Sequence, residues 1–489
     1  MISLLNKPCL RSVVGFFCAG FLLALPAVAQ IGRRFPSEKK EVADPVTGVP
    51  LLFLTSTPAG DSKIYQTHHQ WTSDGKWIVF RSNRVRGEAM AVNTQSGAIV
   101  QVTEGGYSGM LCLADHSMSL YFLRIPTTEP APAVTGAEPA YNPPRVARAG
   151  ENSPASLTPS AGVTGHTRAA TGPAQIVRVD LGKLFADGDA DKIQAASAYE
   201  KVCGIVPLEW GAGGDMALDC TEEFAYFRVG KEESAKHLAV NIKLESSFGP
   251  RNMGAGPAGL GKMNLKTGEV SFIVAVPFQI GHVQTNPWVP GEIIFCWETG
   301  GKSPQRTWTV LADGTGLRPL YPEASYEWIT HEAVITKDEV AIAILAHRQP
   351  GVGVNQPDPW GIAGSGEHPT GLGIVNLRTR EMRIVGQIPM GNPGKSVWHV
   401  NGSPDGRWAC ADDFLYRLWL IDRHSGEMIL LADLGHMTTA ADHIHPTFSA
   451  DSSKIEIQCA MLAENKRTMN ICVVPVPDAW LKRTYRDTP

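Results

Sequence analysis

Two histidines separated by a single residue, His443 and His445, lie between Asp442 and Pro446. In an extended strand, residues i and i+2 project from the same face, so both imidazoles can address one ion. A third imidazole from elsewhere in the chain, His331 in Thr330–Glu332, would complete a three-histidine face with positions left open for water or substrate. The chemistry such a face offers is the binding of a divalent cation. Any one of these histidines alone reads more readily as a structural residue satisfied by its neighbours; only their spacing points to a metal.

That spacing becomes informative once the elements around it are traced. An apolar or aromatic residue, a turn containing Asp, Asn or Gly, and then a short run of strand character recur along the chain. The clearest copies are Trp71–Phe80 (WTSDGKWIVF), Asn401–Cys410 (NGSPDGRWAC) and Thr447–Ile457 (TFSADSSKIEI). Weaker copies run over Leu113–Leu123, Met216–Phe227, Asn286–Cys296 and Ile335–Ile344. Asp-Gly turns between alternating strands are hairpin signals, because Gly and Asn tolerate a positive φ. Most copies are spaced as one four-stranded propeller blade per repeat, so seven copies predict an all-β, seven-bladed β-propeller over residues 30–489. An array of β-sandwiches is the alternative and would not demand such regular pairing.

The histidines fall at one phase of this repeat. His68 and His69 precede the first copy, His282 the fourth, His331 the fifth, His399 the sixth, and His443 and His445 the seventh. The segment entering the innermost strand of a blade lies at the mouth of the central channel. Imidazoles at equivalent phases therefore converge on one axis although far apart in sequence, as a metal or general-base site requires.

Composition agrees with this architecture and excludes others. The chain has 489 residues, 43% hydrophobic and 19% charged, with 49 Gly, 35 Pro and a formal net charge of −4. That is ample for a large core and too apolar for a disordered chain, and the near-neutral balance lacks the basic surface that nucleic acid as a main partner favours. Residues 1–29 read as a cleaved signal peptide: Lys7 and Arg11 precede an apolar run from Val13 to Leu25, and Ala27-Val28-Ala29 supplies a cleavage site. The expected protein is exported, periplasmic or secreted, with no stable membrane insertion once the leader is removed. Residues 127–173, rich in Pro, Ala, Thr and Gly, read as a low-complexity insertion within a blade. Of nine cysteines, Cys203 and Cys220 are close enough to staple a loop in an oxidising compartment, and no CxxC is present. The glycine-rich Met253–Gly259 lacks the strand-to-helix context of a nucleotide loop and reads as a connection over the channel mouth.

Several blocks, in order, resemble the oligogalacturonate lyases. They are Gly281–Pro287 (GHVQTNP), Ile293–Glu298 (IIFCWE), Trp308–Gly314 (WTVLADG), Ile329–Glu332 (ITHE), His399 with its SPDG turn, and Asp442–Pro446 (DHIHP). The resemblance spans roughly Tyr65 to Val474 and implies a seven-bladed propeller that cleaves a uronic-acid-containing, acidic oligosaccharide by β-elimination. It implies His282 as the base and Arg251 as the assisting arginine. It implies a divalent metal, most often Mn2+ (Ca2+ and Zn2+ being alternatives), held by His331, His443 and His445. Tyr65, His68, His399 and Trp297 are the expected sugar contacts, with Glu298 and Glu332 either orienting imidazoles or forming ordinary strand-end ion pairs.

Such chemistry suits these residue types. The C5 proton of a uronate is too weak an acid for imidazole unless charge developing on the carboxylate is neutralised, and a base titrating near neutrality should be neutral when it acts. Three features depart from the family pattern. Ala440 stands where the metal site uses a glutamine, Trp297 replaces a histidine, and the leader differs from the family's usual cytoplasmic setting. A non-catalytic, TolB-like periplasmic scaffold is the reading of a different class, because the Asp-Gly turns serve that wider group of propellers for folding alone. A related propeller with another carbohydrate reaction is a third.

Overall fold

The three clearest repeats fold by one local device. In the turn after each innermost strand a Ser or Thr hydroxyl donates to the Asp two residues on: Thr72 to Asp74 at 2.7 Å, Ser403 to Asp405 at 2.6 Å and Ser449 to Asp451 at 2.5 Å. The same carboxylate accepts the backbone N–H of Lys76, Arg407 or Ser453, each at 3.0 Å. The next position is left-handed in all three, at Gly75, Gly406 and Ser452. These bonds close the turn without any tertiary partner, which is why the motif is visible in the sequence.

In the computed structural model, which describes residues 30–126, 173–247, 251–347, 370–388, 396–435, 437 and 439–485, the strands form seven antiparallel sheets arranged as blades. Blade 1 runs outward from Asp61–Lys63 through Trp77–Ser82 and Ala89–Asn93 to Ile99–Gln101. Blades 2, 3 and 4 start from innermost strands Ser108–Leu113, Met216–Leu218 and Ile280–Thr285. Blades 5, 6 and 7 start from Glu327–Thr336, Val397–Gly402 and Thr447–Phe448. Each of the seven sequence copies spans the turn between the first and second strands of one blade. The expected seven-bladed all-β fold is thus observed. The expected leader, residues 1–29, and residues 127–172 of the expected insertion lie outside the described residues.

The ring is closed by the chain's beginning. Pro50–Phe53 pairs with the third strand of blade 7 through Leu52–Val473 and Phe53–Cys472, and Lys40–Ala43 adds a further strand outside it. Arg34–Phe35 crosses to the outer edge of blade 1. One short segment therefore ties the last blade to the first. Leu51 and Phe53 are fully buried in a cluster with Trp408, Leu420, Ile457 and Cys472, so the tie is apolar as well as hydrogen-bonded.

Two expectations are corrected here. Cys203 and Cys220 are both free: the first lies on the outermost strand of blade 2, Glu200–Val206, and the second just beyond the innermost strand of blade 3. The glycine-rich run is not a connection over the mouth, because Ala255–Asn264 is the third strand of blade 3. Its glycines allow close approach. A Cβ on Gly261 would sit 2.8 Å from Trp210, and one on Gly259 2.7 Å from Phe272. Among the described residues no helix is long and apolar enough to cross a membrane.

Phe53→Ala should lower stability in chemical denaturation by about 3–5 kcal/mol, the usual cost of emptying a well-packed aromatic site. A loss below about 1 kcal/mol would mean that the closing strand does not seal the ring.

Candidate functional site

A regular strand alternates its side chains, and the innermost strands break that alternation where the site is built. The pairing of the first two strands shifts between Gly281 and Gln284 in blade 4, between Thr330 and Glu332 in blade 5, and between Val397 and Val400 in blade 6. His282, His331 and His399 lie at these bulges. His282 and His331 have φ of 51° and 30°, and His445 of blade 7 has 48°. Side chains other than glycine adopt such left-handed values at a cost of about 1–3 kcal/mol, and bulges re-aim a side chain.

The result is a ring of imidazoles. His399 lies between His331 and His445, with ring centroids 4.1 and 3.8 Å away, and His443 is 5.4 Å from it. His282 is 5.9 Å from His331. Tyr65, projecting from blade 1, contacts four of them, at 4.9 Å from His282, 5.2 Å from His445, 6.2 Å from His399 and 6.5 Å from His331. Five blades thus meet at one point.

Each of the three central imidazoles has its Nδ1 engaged. His331 Nδ1 donates to the Trp398 carbonyl at 2.8 Å, His399 Nδ1 to Asp412 Oδ2 at 2.9 Å, and His445 Nδ1 to Gln66 Oε1 at 2.8 Å. With the proton fixed on Nδ1, the lone pair is on Nε2. Burial, reinforced by the neighbouring imidazoles, lowers the pKa of His399 to about 3 and takes that of His331 well below its ordinary value, so these rings are neutral. His445 Nε2 is buried without a hydrogen-bond partner, 3.2 Å from Asp442 Oδ2. His443 Nδ1 is likewise unpartnered, 3.6 Å from Asp412, and its ring stacks on Tyr416 at 4.5 Å. Burial raises the Asp442 carboxyl, but the imidazoles, His445 first, outweigh that and hold it ionised.

Neutral imidazoles with free Nε2 lone pairs beside a carboxylate are a donor set that fits a divalent cation, and an orphaned buried ring nitrogen is what such an ion would satisfy. Asp412 accepts both the backbone N–H and the Nδ1–H of His399, so it orients that ring. Ala440 is buried where a glutamine was expected, and the glutamine at the cluster is Gln66, which supports His445 from behind.

His282 is held differently. Nδ1 donates to Glu332 Oε1 at 2.9 Å, and Nε2 faces Glu298 Oε2 at 3.4 Å. Arg306 bridges both carboxylates, with Nε 3.2 Å from Glu332 and Nη2 3.7 Å from Glu298. Burial pulls the His282 pKa down, but the Glu332 carboxylate outweighs it and the net shift is upward. That runs against the sequence expectation of a ring neutral near pH 7: in this structure the two carboxylates favour the imidazolium.

The structure brings Tyr65, His282, His331, His399, His443 and His445 together. Arg251 reaches their edge, packed across Gly300 beside Glu298. Trp297 is instead buried, stacked on Phe278 at 4.8 Å with its indole N–H on the Gly254 carbonyl. His68 has both ring nitrogens occupied, by Thr67 and the Met216 carbonyl, each at 2.8 Å. Sequence reasoning missed Arg306, Asp412 and Gln66. Asp412 carried a signal, an acid pair set in the apolar strand Trp408–Asp413. Arg306 lies in a loop between strands and carried none.

No family model matches the sequence, and no curated protein matches it. The histidine-centred, seven-bladed propeller does have solved neighbours. An oligogalacturonate lyase in complex with manganese matches with a TM-score of 0.63 at 17% identity, over 93% of this chain and 100% of that one. An oligogalacturonate lyase from Vibrio parahaemolyticus matches with a TM-score of 0.62 at 16% identity, over 92% of this chain and 100% of that one. At these identities the likeness shows the fold, and it is the seven-bladed propeller fold that the sequence resemblance implied.

The left-handed backbone at His331 can be tested by itself. Without added metal, His331→Gly should be more stable than His331→Ala by about 1 kcal/mol in chemical denaturation, because only glycine adopts that conformation freely. Equal stabilities would rule out the strained bulge.

Proposed function

We propose that this chain is a metal-assisted lyase that cleaves a uronic-acid-containing oligosaccharide by β-elimination, with Mn2+ as the cation. The observation that carries this reading is a row of imidazoles from blades 5, 6 and 7, with His399 centred 4.1 and 3.8 Å from His331 and His445 and each Nδ1 held by an acceptor, beside a separately held His282 from blade 4. His331, His399 and His445, with Asp442 and His443 at their edge, are the residues that would hold the ion. The manganese in one structural neighbour, and an imidazole-plus-carboxylate donor set without sulfur, support the choice of metal. Bound there, the cation supplies the positive charge that neutralises a uronate carboxylate while negative charge builds on the sugar.

The chain's own residues do the rest. His282 Nε2 takes the C5 proton, and Glu332 fixes the ring's orientation through Nδ1–H. Arg306 keeps Glu332 and Glu298 ionised and in place. Arg251, beside Glu298, supplies further positive charge at the edge of the pocket. Tyr65 forms the apolar floor against which the sugar packs. Export through a leader at residues 1–29 belongs to the same proposal and suits a glycan met outside the cytoplasm. A scaffold would have no use for buried ring nitrogens left without partners.

The test is to incubate the purified chain and Mn2+ with oligogalacturonate, ulvan or glucuronate-containing oligomers and follow ultraviolet absorbance of the unsaturated product. A rise that needs metal, and falls by about 10²–10⁴-fold in His282→Ala, is expected. Folded, metal-supplied protein that acts on none of them overturns the reading.

A pH dependence follows. A base acts deprotonated, so the acid limb of the rate profile follows the His282 pKa, which Glu332 raises. Glu332→Gln removes that charge, and the acid limb should move to lower pH; a limb that stays or rises would exclude His282 as the base.

A further inference from the structure

The imidazole cluster contains no sulfur, but the neighbouring His282 pocket does. Cys296, on the second strand of blade 4, is fully buried beneath His282. A ring nitrogen of His282, Cys296 Sγ and a Glu332 oxygen all lie within 4.8 Å of one another. Glu298 adds a fourth donor: its Oε2 is 3.4 Å from His282 Nε2 and 3.8 Å from Cys296 Sγ. A tetrahedral ion with bonds of about 2.0–2.3 Å has ligands about 3.3–3.7 Å apart, so the two edges that Glu298 makes are already close to that size. Glu332 accepts from Nδ1, as the carboxylate behind a metal-ligating histidine does.

We propose that His282 Nε2, Cys296 Sγ and Glu298 Oε2 form a second cation site, selective for thiophilic divalent ions of the Zn2+ and Cd2+ class and separate from the imidazole cluster. Charge balances within the buried group. The thiol proton and the second proton of the His282 imidazolium pass to solvent, and the dication together with the cationic Arg306 offsets the thiolate, Glu298 and Glu332, leaving a net charge of zero around a neutral imidazole. Softness sorts the two sites by degree: only this one offers a thiolate, which favours Zn2+ and Cd2+ over Mn2+ more strongly than imidazole and carboxylate do. An ion here occupies the lone pair that proton abstraction uses, so zinc-class ions inhibit. That consequence rests on the lyase reading; the site itself does not.

The experiment titrates the reduced chain with Cd2+ and follows thiolate-to-cadmium charge-transfer absorption. A saturating band at one equivalent is expected, lost in Cys296→Ser and retained in the His331→Ala/His445→Ala double variant. Glu298→Gln, which keeps the thiol, and Glu332→Gln should each weaken Cd2+ binding by about 10–100-fold, so the outcome does not depend on Cys296→Ser folding. A band equal in wild type and a folded Cys296→Ser, one lost in the double variant, or affinities unchanged in both glutamine variants overturns the proposal. In a parallel arm, Zn2+ added over excess Mn2+ should depress wild-type turnover while leaving the ratio of rates with and without Zn2+ near unity in Cys296→Ser. A wild-type chain inert on every acidic glycan defeats the lyase reading alone, and the absorption arm still decides the site.

Discussion

A neutral imidazole lends its lone pair only from the nitrogen without the proton, and which nitrogen that is depends on what holds the other. Here three acceptors settle the matter for three rings, and two of them come from a different blade. His331 of blade 5 is tied to the Trp398 carbonyl of blade 6, and His445 of blade 7 to Gln66 of blade 1. The second tie crosses the seam where the ring is closed by Pro50–Phe53. Closure is thus more than a stability device, because the tautomer of His445 depends on blades 1 and 7 being held side by side.

Aim is the other half of the constraint. Equivalent bulges occur in blades 2, 4, 5 and 6, but in blade 2 the left-handed position is Gly109, where a Cβ would lie 1.9 Å from the Gly214 carbonyl oxygen. Blade 2 uses the bulge to let two backbones touch; blades 4 and 5 use it to swing an imidazole onto the axis. The fold therefore supplies the distortion generally, and side-chain identity decides whether it becomes part of a site. The strain is carried by the fully buried strands alongside, such as Ile293, Phe295, Ile342 and Ile344, whose packing exceeds it.

This division explains what could be read from the sequence. The Asp turns are local, closed by bonds two residues apart, so the three blades that carry them left the clearest marks. The histidine phase was legible because it is set by the same repeat. The bulges were not, since a bulge is a relation between two strands and has no composition of its own. For the same reason His399 read as a sugar contact although it stands between His331 and His445, and Gln66, 379 positions from its partner His445, was invisible. Trp297 shows the converse error: a substitution inside a motif suggested a changed pocket, whereas the ring is held in the core by Phe278 and the Gly254 carbonyl.

Electrostatics link the two halves of the site. Neutral His331 and His399 offer the ionised Asp442 no charge of their own, and beside them Glu298 and Glu332 are matched only by Arg306 and the His282 imidazolium they favour. A second anion entering this partly dry space meets repulsion that bulk water would otherwise screen. An acidic sugar therefore gains access in proportion to the positive charge already present, and a cation in turn is held more firmly when a carboxylate joins its donors. Each raises the affinity for the other by the same factor, as linkage requires. On the proposed reading, metal dependence and preference for acidic substrates are then one property of the pocket, arising from carboxylates that the strands bury around histidines they cannot release.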